Sequence, residues 1–174
     1  KIAMVQMQIA NRPMTNADRF LEEARKAVAQ GAQIVVCSEM MLTHYLCGDR
    51  YRDESFIKEM WRVAMHIIAE SANINAVLIF GGIGLDLSGP VGEDGRMRKY
   101  NAAFVAQDGC LVHNHANLPF AIKTHLPNFG IFDDARHFFS LRKLAVERHV
   151  PLESLLKPFP VTIDGVVYEL GVTL

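Results

Sequence analysis

The sequence predicts an α+β fold, and three observations carry that reading. An apolar run near the first residue is followed by an amphipathic stretch and a second, β-branched run, which is the order strand, helix, strand. A second long amphipathic stretch and a third apolar run follow. Two later pairs of apolar runs are each joined by an Asp-Gly dipeptide, the sequence of a tight hairpin, so antiparallel strands join the parallel ones that a β-α-β order implies.

Residues 2–8, Ile-Ala-Met-Val-Gln-Met-Gln, form the first expected strand. After the Asn11-Arg12-Pro13 loop, Thr15 and Asn16 are candidate helix caps, with Asp18, Glu22 and Glu23 near the positive end of the helix dipole. Phe20, Leu21, Ala24, Ala27 and Val28 then fall on one helical face, and Gly31 closes the helix. Residues 34–37, Ile-Val-Val-Cys, read as a buried strand, and Glu39 follows it directly. Open sheets hold ligands beyond the carboxyl ends of their strands, so this carboxylate is a candidate site residue; the plainer alternative is a strand-end acid facing water.

A long connection with Tyr45 and Tyr51 leads to a helix over 54–72, whose buried face is Phe56, Met60, Val63, Ala64, Ile67 and Ile68. Residues 76–80 are a third strand, ending at Gly81-Gly82-Ile83-Gly84. That string lacks the third glycine of a dinucleotide fingerprint and a following helix, which argues against a phosphate-binding loop. Residues 89–98 are a polar connection. Strands at 101–106 and 111–115 are joined through Gln107-Asp108-Gly109. His113 and His115 share a face of the second, but no carboxylate or cysteine lies at a supporting spacing, so no metal centre is expected. Residues 140–158 read as one or two helices, and 159–163 with 166–173 as a hairpin across Asp164-Gly165.

With 174 residues, half of them hydrophobic and about a fifth charged, the chain is one domain or part of one. A net charge of −1 argues against nucleic acid or a membrane surface as partner. No apolar run approaches the roughly 18 residues of a membrane span, and no signal-peptide layout opens the chain, which together predict a cytoplasmic protein. Cys37, Cys47 and Cys110, an odd number at irregular spacing, read as free thiols of a reducing compartment.

The stretch richest in chemistry is 123–138, Lys-Thr-His-Leu-Pro-Asn-Phe-Gly-Ile-Phe-Asp-Asp-Ala-Arg-His-Phe. Pro127 lacks a backbone donor and Gly130 invites positive φ, so neither helix nor ladder continues through it and Lys123 stands at the end of something rigid. Phe129, Phe132 and Phe138 interleave with Asp133, Asp134 and Arg136, the pattern of a loop folded over an apolar floor with its charges paired or turned into a cavity.

This stretch, the Ile-Val-Val-Cys-Ser-Glu strand end and the Tyr-Asn-Ala-Ala-Phe-Val strand at 100–105 resemble the nitrilase superfamily of carbon-nitrogen hydrolases. The Lys-x-x-Leu-Pro-Asn-aromatic-Gly-x-Phe-Asp string most resembles the glutaminase domains of glutamine-dependent NAD synthetases. The resemblance implies a four-layer α-β-β-α sandwich, with these residues as its incomplete N-terminal portion. It implies a Glu-Lys-Cys triad, in which Glu39 matches the general base and Lys123 the lysine. Tyr45 and Phe129 match residues of the glutamine pocket, and Asp134 occupies the position of a second acid that holds the lysine, one methylene shorter than the family's glutamate. Ser38 stands for the usual proline and His44 for the usual glycine.

The family's cysteine follows a glycine-hydrophobic strand that Gly171-Val-Thr-Leu174 matches, so it is expected immediately after Leu174; none of Cys37, Cys47 or Cys110 fits the role. The implied activity is glutamine hydrolysis without a cofactor, in a homo-oligomer. Its ammonia would go to a separate domain that uses ATP and Mg to amidate deamido-NAD. A free-standing amidase acting on another amide and a non-catalytic assembly module remain as alternatives.

Overall fold

The computed structural model describes residues 1–89, 91–92 and 94–174; Pro90 and Glu93, within the expected 89–98 connection, lie outside the described residues. β1 (Ile2–Val5), α1 (Pro13–Ala29) and β2 (Ile34–Cys37) realise the predicted strand, helix, strand order. α2 (Glu54–Glu70) leads through a short 3-10 turn to β3 (Val77–Leu85), which pairs with β4 (Lys99–Gln107). Two short strands, β5 (Cys110–Leu111) and β6 (Ala121–Ile122), complete a sheet of order β1-β2-β3-β4-β5, with β6 on β4. β1, β2 and β3 are parallel, and β4 runs antiparallel to β3. The short helices α3 (Asp134–His137) and α4 (Leu141–Glu147) follow, then the hairpin β7 (Phe159–Ile163) and β8 (Val166–Leu170).

The central strands β2, β3 and β4 bury both faces, and the two-residue period of a strand sorts their side chains between them. Val35, Leu78, Phe80, Ala102, Phe104 and Ala106 point to the side where α1 contributes Phe20, Leu21 and Ala24 and α2 contributes Met60, Val63 and Ile67. Phe80 stacks on Phe104 with ring centres 5.1 Å apart, and Phe120 meets Phe104 edge-on at 5.4 Å. Ile34, Val77, Ile79, Ala103 and Val105 point the other way, against Phe159 and Val161 of the hairpin. Helices, sheet and hairpin thus supply three consecutive layers of an α-β-β-α arrangement. Ile2 and Met4 on β1, and Val166 and Tyr168 on β8, remain exposed.

Several local expectations are corrected. α1 begins at Pro13, whose missing N–H costs nothing in a first turn, with Arg12 as an N-cap whose side chain makes no capping bond. Thr15 and Asn16 therefore lie inside the helix. Asn16 is buried and uses its amide to bind the backbone of Ala10 at both N and O and the carbonyl of Leu42. β1 stops at Val5 rather than 8, the strand expected over 111–115 ends at Leu111, and β8 ends at Leu170, so residues 171–174 continue outside a strand.

The largest correction concerns β3, which runs straight through Gly81-Gly82-Ile83-Gly84. These glycines serve close approach. A Cβ on Gly81 would stand 2.5–2.7 Å from the backbone of Ser38, Glu39 and Met40, and one on Gly84 would enter the Phe120 ring. Both Asp-Gly hairpins form as expected: Asp108 and Gly109, and Asp164 and Gly165, all have positive φ, as a tight primed turn requires. The 89–98 connection is tied down at its end, where Arg98 makes a bidentate pair with Glu147 and Lys99 a buried pair with Asp94.

Candidate active site

β2 ends at Cys37, and the chain turns at once through residues 39–43. Met40, Met41 and Leu42 are buried and anchor this turn, Thr43 N donates to Met40 O at 3.1 Å, and Met40 takes a positive φ of 52°. Because Gly81 offers no side chain, the turn lies directly on β3, and the Glu39 carboxylate is presented from a backbone held on two sides. His44, where the resemblance leads one to expect glycine, has φ 83°, a conformation that favours glycine. The Tyr51 hydroxyl donates to the carbonyls of His44 and Tyr45 and fixes the segment after it.

Lys123 follows β6, with its backbone N–H donating to the Asn101 carbonyl on β4 at 2.9 Å. Its Nζ donates to Glu39 Oε1 at 2.7 Å and to the Tyr45 hydroxyl at 2.7 Å. That hydroxyl donates in turn to Asp134 Oδ2 at 2.7 Å, and Asp134 Oδ2 lies 3.7 Å from Lys123 Nζ. Four of the five residues singled out in the sequence, Glu39, Tyr45, Lys123 and Asp134, therefore meet in one cluster. The shorter acid keeps its hold on the lysine through the tyrosine rather than by a close pair of its own.

Phe129 is the exception. It is 69% exposed and reaches the cluster only by an aromatic relay: its ring meets Phe132 at 5.6 Å, and Phe132 meets Tyr45 edge-on at 5.5 Å. The loop around it closes as its sequence suggested, with Gly130 at φ 59° and Asp134 N donating to Pro127 O. Arg136 pairs with Asp133 and with Asp49.

Burial alone would push the Lys123 ammonium down, but its bonds to Glu39 and Tyr45 outweigh that and hold it above its ordinary range. The lysine is a fixed cation at neutral pH. Burial is the main reason that the Tyr45 hydroxyl is pushed up to about 12, with Lys123 opposing and Asp134 assisting, so it stays protonated and can donate. Beside the cluster a cavity of about 300 Å³ is lined by Tyr45, Leu46, Tyr51, Ile131, Asp134 and His137 among others, room for a small organic molecule.

One residue escaped the sequence analysis. Asn101, buried on β4, donates from Nδ2 to Glu39 Oε1 at 2.7 Å. It lies in the Tyr-Asn-Ala-Ala-Phe-Val strand, where an amide side chain beside a run of alanine, phenylalanine and valine is the available signal.

Cys37 is buried, its thiol pushed up chiefly by burial, Cys47 donates to the carbonyls of Thr43 and His44, and Cys110 is exposed on a hairpin; all three are free. None makes a hydrogen bond to Glu39 or Lys123 among the described residues. His113 faces Asn117 and His115 pairs with Glu169, and among the described residues no group of three His, Cys, Asp or Glu side chains could hold a metal ion. No helix among them is long and apolar enough to cross a membrane.

A partly buried lysine is bonded to a strand-end carboxylate, on a sheet covered by helices on one side and a hairpin on the other. Residues 1–141 match the carbon-nitrogen hydrolase family, and the chain belongs to that family. It is 28% identical over 123 residues to the glutamine-dependent NAD synthetase of Thermotoga maritima and 30% identical over 126 residues to that of Acinetobacter baylyi, covering 71% of this chain in each case. It spans about a fifth of the length of those relatives.

Among solved structures, the glutamine-dependent NAD synthetase of Acinetobacter baumannii superposes with a TM-score of 0.68 at 20% identity, over 97% of this chain and 26% of that one. An amidase from Nesterenkonia superposes with a TM-score of 0.64 at 17% identity, over 97% of this chain and 55% of that one. These similarities establish the nitrilase-like fold.

Proposed function

We propose that the site works in the hydrolysis of the side-chain amide of glutamine, with Glu39 as general base and Lys123 as oxyanion stabiliser, and that the ammonia released serves an ATP-dependent amidation of deamido-NAD. The observation that carries this reading is the 2.7 Å contact of Lys123 Nζ with Glu39 Oε1, which couples a fixed cation to a base at the end of a buried strand. The curated relatives, all named glutamine-dependent NAD synthetases, support glutamine as the amide.

The geometry supports the following chemistry. The nucleophile is a cysteine supplied from outside residues 1–174, expected directly after Leu174. Glu39 Oε2, which accepts no hydrogen bond among the described residues, takes the thiol proton as sulfur attacks the amide carbon. The oxygen that becomes negative is met by the Lys123 ammonium and the protonated Tyr45 behind it, a kind of contact worth about 3 kcal/mol in comparable sites. Glu39 returns its proton to the departing nitrogen, which leaves as ammonia, and the acyl group stays on sulfur as a thioester. Water then gives a proton to Glu39 and attacks the thioester, releasing glutamate; the proton on Glu39 restores the thiol.

Tyr45 and Asp134 would fix the lysine, and Phe129 keeps only the pocket role that the resemblance implies, since its exposed ring reaches the cluster through Phe132. ATP and Mg would belong to the amidating domain, not to this one. Assembly of several copies in the cytoplasm fits the same reading.

The test is Glu39→Gln in the gene product that carries residues 1–174. Ammonia release from glutamine should fall below a thousandth of wild type, while NAD formation from free ammonia continues. Loss of both activities refutes the division of labour.

A second reading is favoured by the similarity to the Nesterenkonia amidase, another of whose structures carries the acetamide moiety of fluoroacetamide covalently on its active-site cysteine. On that reading the protein hydrolyses a different small amide and forms no NAD from ammonia. A residue other than cysteine after Leu174 would exclude both and leave an assembly module.

A further inference from the structure

The one polar side chain of β4 that reaches Glu39 does more than fill space. Asn101 is 1% exposed, its Nδ2 donates to Glu39 Oε1 at 2.7 Å, and its carbonyl accepts from Lys123 N at 2.9 Å. A single residue thus holds the carboxylate by its side chain and the lysine by its main chain. Lys123 Nζ donates to the same Oε1, also at 2.7 Å, so two donors converge on one oxygen and Oε2 is left without a partner among the described residues. A carboxylate gripped in this way cannot turn about its terminal bond, and its free oxygen keeps one direction.

The Asn101 amide is itself incompletely satisfied. Its Oδ1 is buried and has no hydrogen-bond partner among the described residues. A buried acceptor left unpaired works against folding, and an apolar residue among Ala102, Ala103 and Phe104 would avoid that cost. Local rules broken in this manner mark places where function, not packing, selects the residue.

We propose that Asn101 is a positioning residue for Glu39: by loading Oε1 together with Lys123 it orients Oε2 as the oxygen through which protons move. This inference rests on the amide-hydrolase reading given above. It predicts a defect in turnover rather than in substrate binding, because the asparagine touches the base and not the amide.

The experiment compares Asn101→Ala, Asn101→Asp and Glu39→Gln in the gene product that carries residues 1–174, measuring kcat and KM for glutamine and the thermal midpoint. In Asn101→Ala, kcat should fall about tenfold or more, the size expected for losing a hydrogen bond to a charged group, with KM within about twofold. The thermal midpoint should hold or rise, since the orphaned acceptor is gone. Asn101→Asp keeps the shape but sets a second carboxyl against Glu39, so the two share a proton and the acid limb of the kcat profile should move to higher pH.

A kcat for Asn101→Ala within about twofold of wild type, or a loss matched by an equal change in KM, overturns the proposal. If the alanine variant does not fold, an unmoved kcat profile in Asn101→Asp overturns it as well. An active Glu39→Gln would instead sink the hydrolase reading itself, a result distinct from an active Asn101→Ala beside an inactive Glu39→Gln.

Discussion

The Tyr45 hydroxyl donates to Asp134 Oδ2 at 2.7 Å while accepting from Lys123 Nζ at 2.7 Å, so the tyrosine carries the second acid's hold on the lysine. The Asp134 carboxylate is buried and 3.7 Å from that ammonium, too far for a hydrogen bond of its own. Tyr45→Phe should therefore cost more than a pocket residue would, lowering turnover of glutamine about tenfold to a hundredfold, as expected for a lost hydrogen bond between charged or buried partners. Asp134→Glu, which restores the methylene, should stay within about threefold of wild type, whereas Asp134→Ala should lose at least about tenfold. Steady-state kinetics on the three variants check this; an inactive Asp134→Glu beside a normal Tyr45→Phe would show that the lysine is held in another way.

Gly81 fixes where Glu39 sits. Its absent side chain lets the Ser38–Met40 backbone lie on β3, with no room for a Cβ at 2.5–2.7 Å. Gly81→Ala must push that turn away, and forced overpacking in a well-packed site costs about 1–3 kcal/mol. Denaturant unfolding should report that loss, together with a fall in activity larger than the folded fraction explains. An alanine variant with wild-type stability would contradict the close approach.

His137 gives a pH dependence with a defined sign. It is buried beside Tyr51 and Phe138, with Nδ1 unpartnered among the described residues, and burial holds its imidazole below the ordinary 6.5, against the pull of Asp133. As pH falls through 6.5 the unfolded chain takes up the proton first, so stability present above that value is lost progressively down through the lowered folded value. His137→Phe removes this contribution. Thermal midpoints between pH 7.5 and about pH 5 should fall less steeply in the variant than in wild type; parallel curves would show that the histidine accepts its proton without cost.

Much of this was legible in the sequence where one physical rule governed a whole element. α2 and the face of α1 follow from a helical period, β2 from a β-branched run, and both Asp-Gly hairpins from a turn that needs positive φ twice in succession. Glu39 and Lys123 stand out because one ends a buried strand and the other opens an irregular, charged, aromatic loop, and their side chains meet in the structure; their roles are what the resemblance implies. The failures share a cause, which is that distant partners overrode local preference. Asn16 looks like a cap, but its amide is taken by Ala10 and Leu42. The β3 glycines look like a loop, but the Ser38–Met40 backbone and Phe120 need their missing side chains. Asn101 finds Glu39 across the sheet, and no spacing within β4 announces that.

The central claim is that Glu39 and Lys123 activate a cysteine lying outside residues 1–174 for attack on the glutamine amide. The direct measurement is the mass of the gene product before and after incubation with diazo-oxo-norleucine, an electrophilic glutamine analogue, followed by mapping of the modified peptide. The account predicts one adduct, on a cysteine following Leu174, which fails to form in Glu39→Gln. An unmodified protein, or an adduct on Cys37, Cys47 or Cys110, would contradict it.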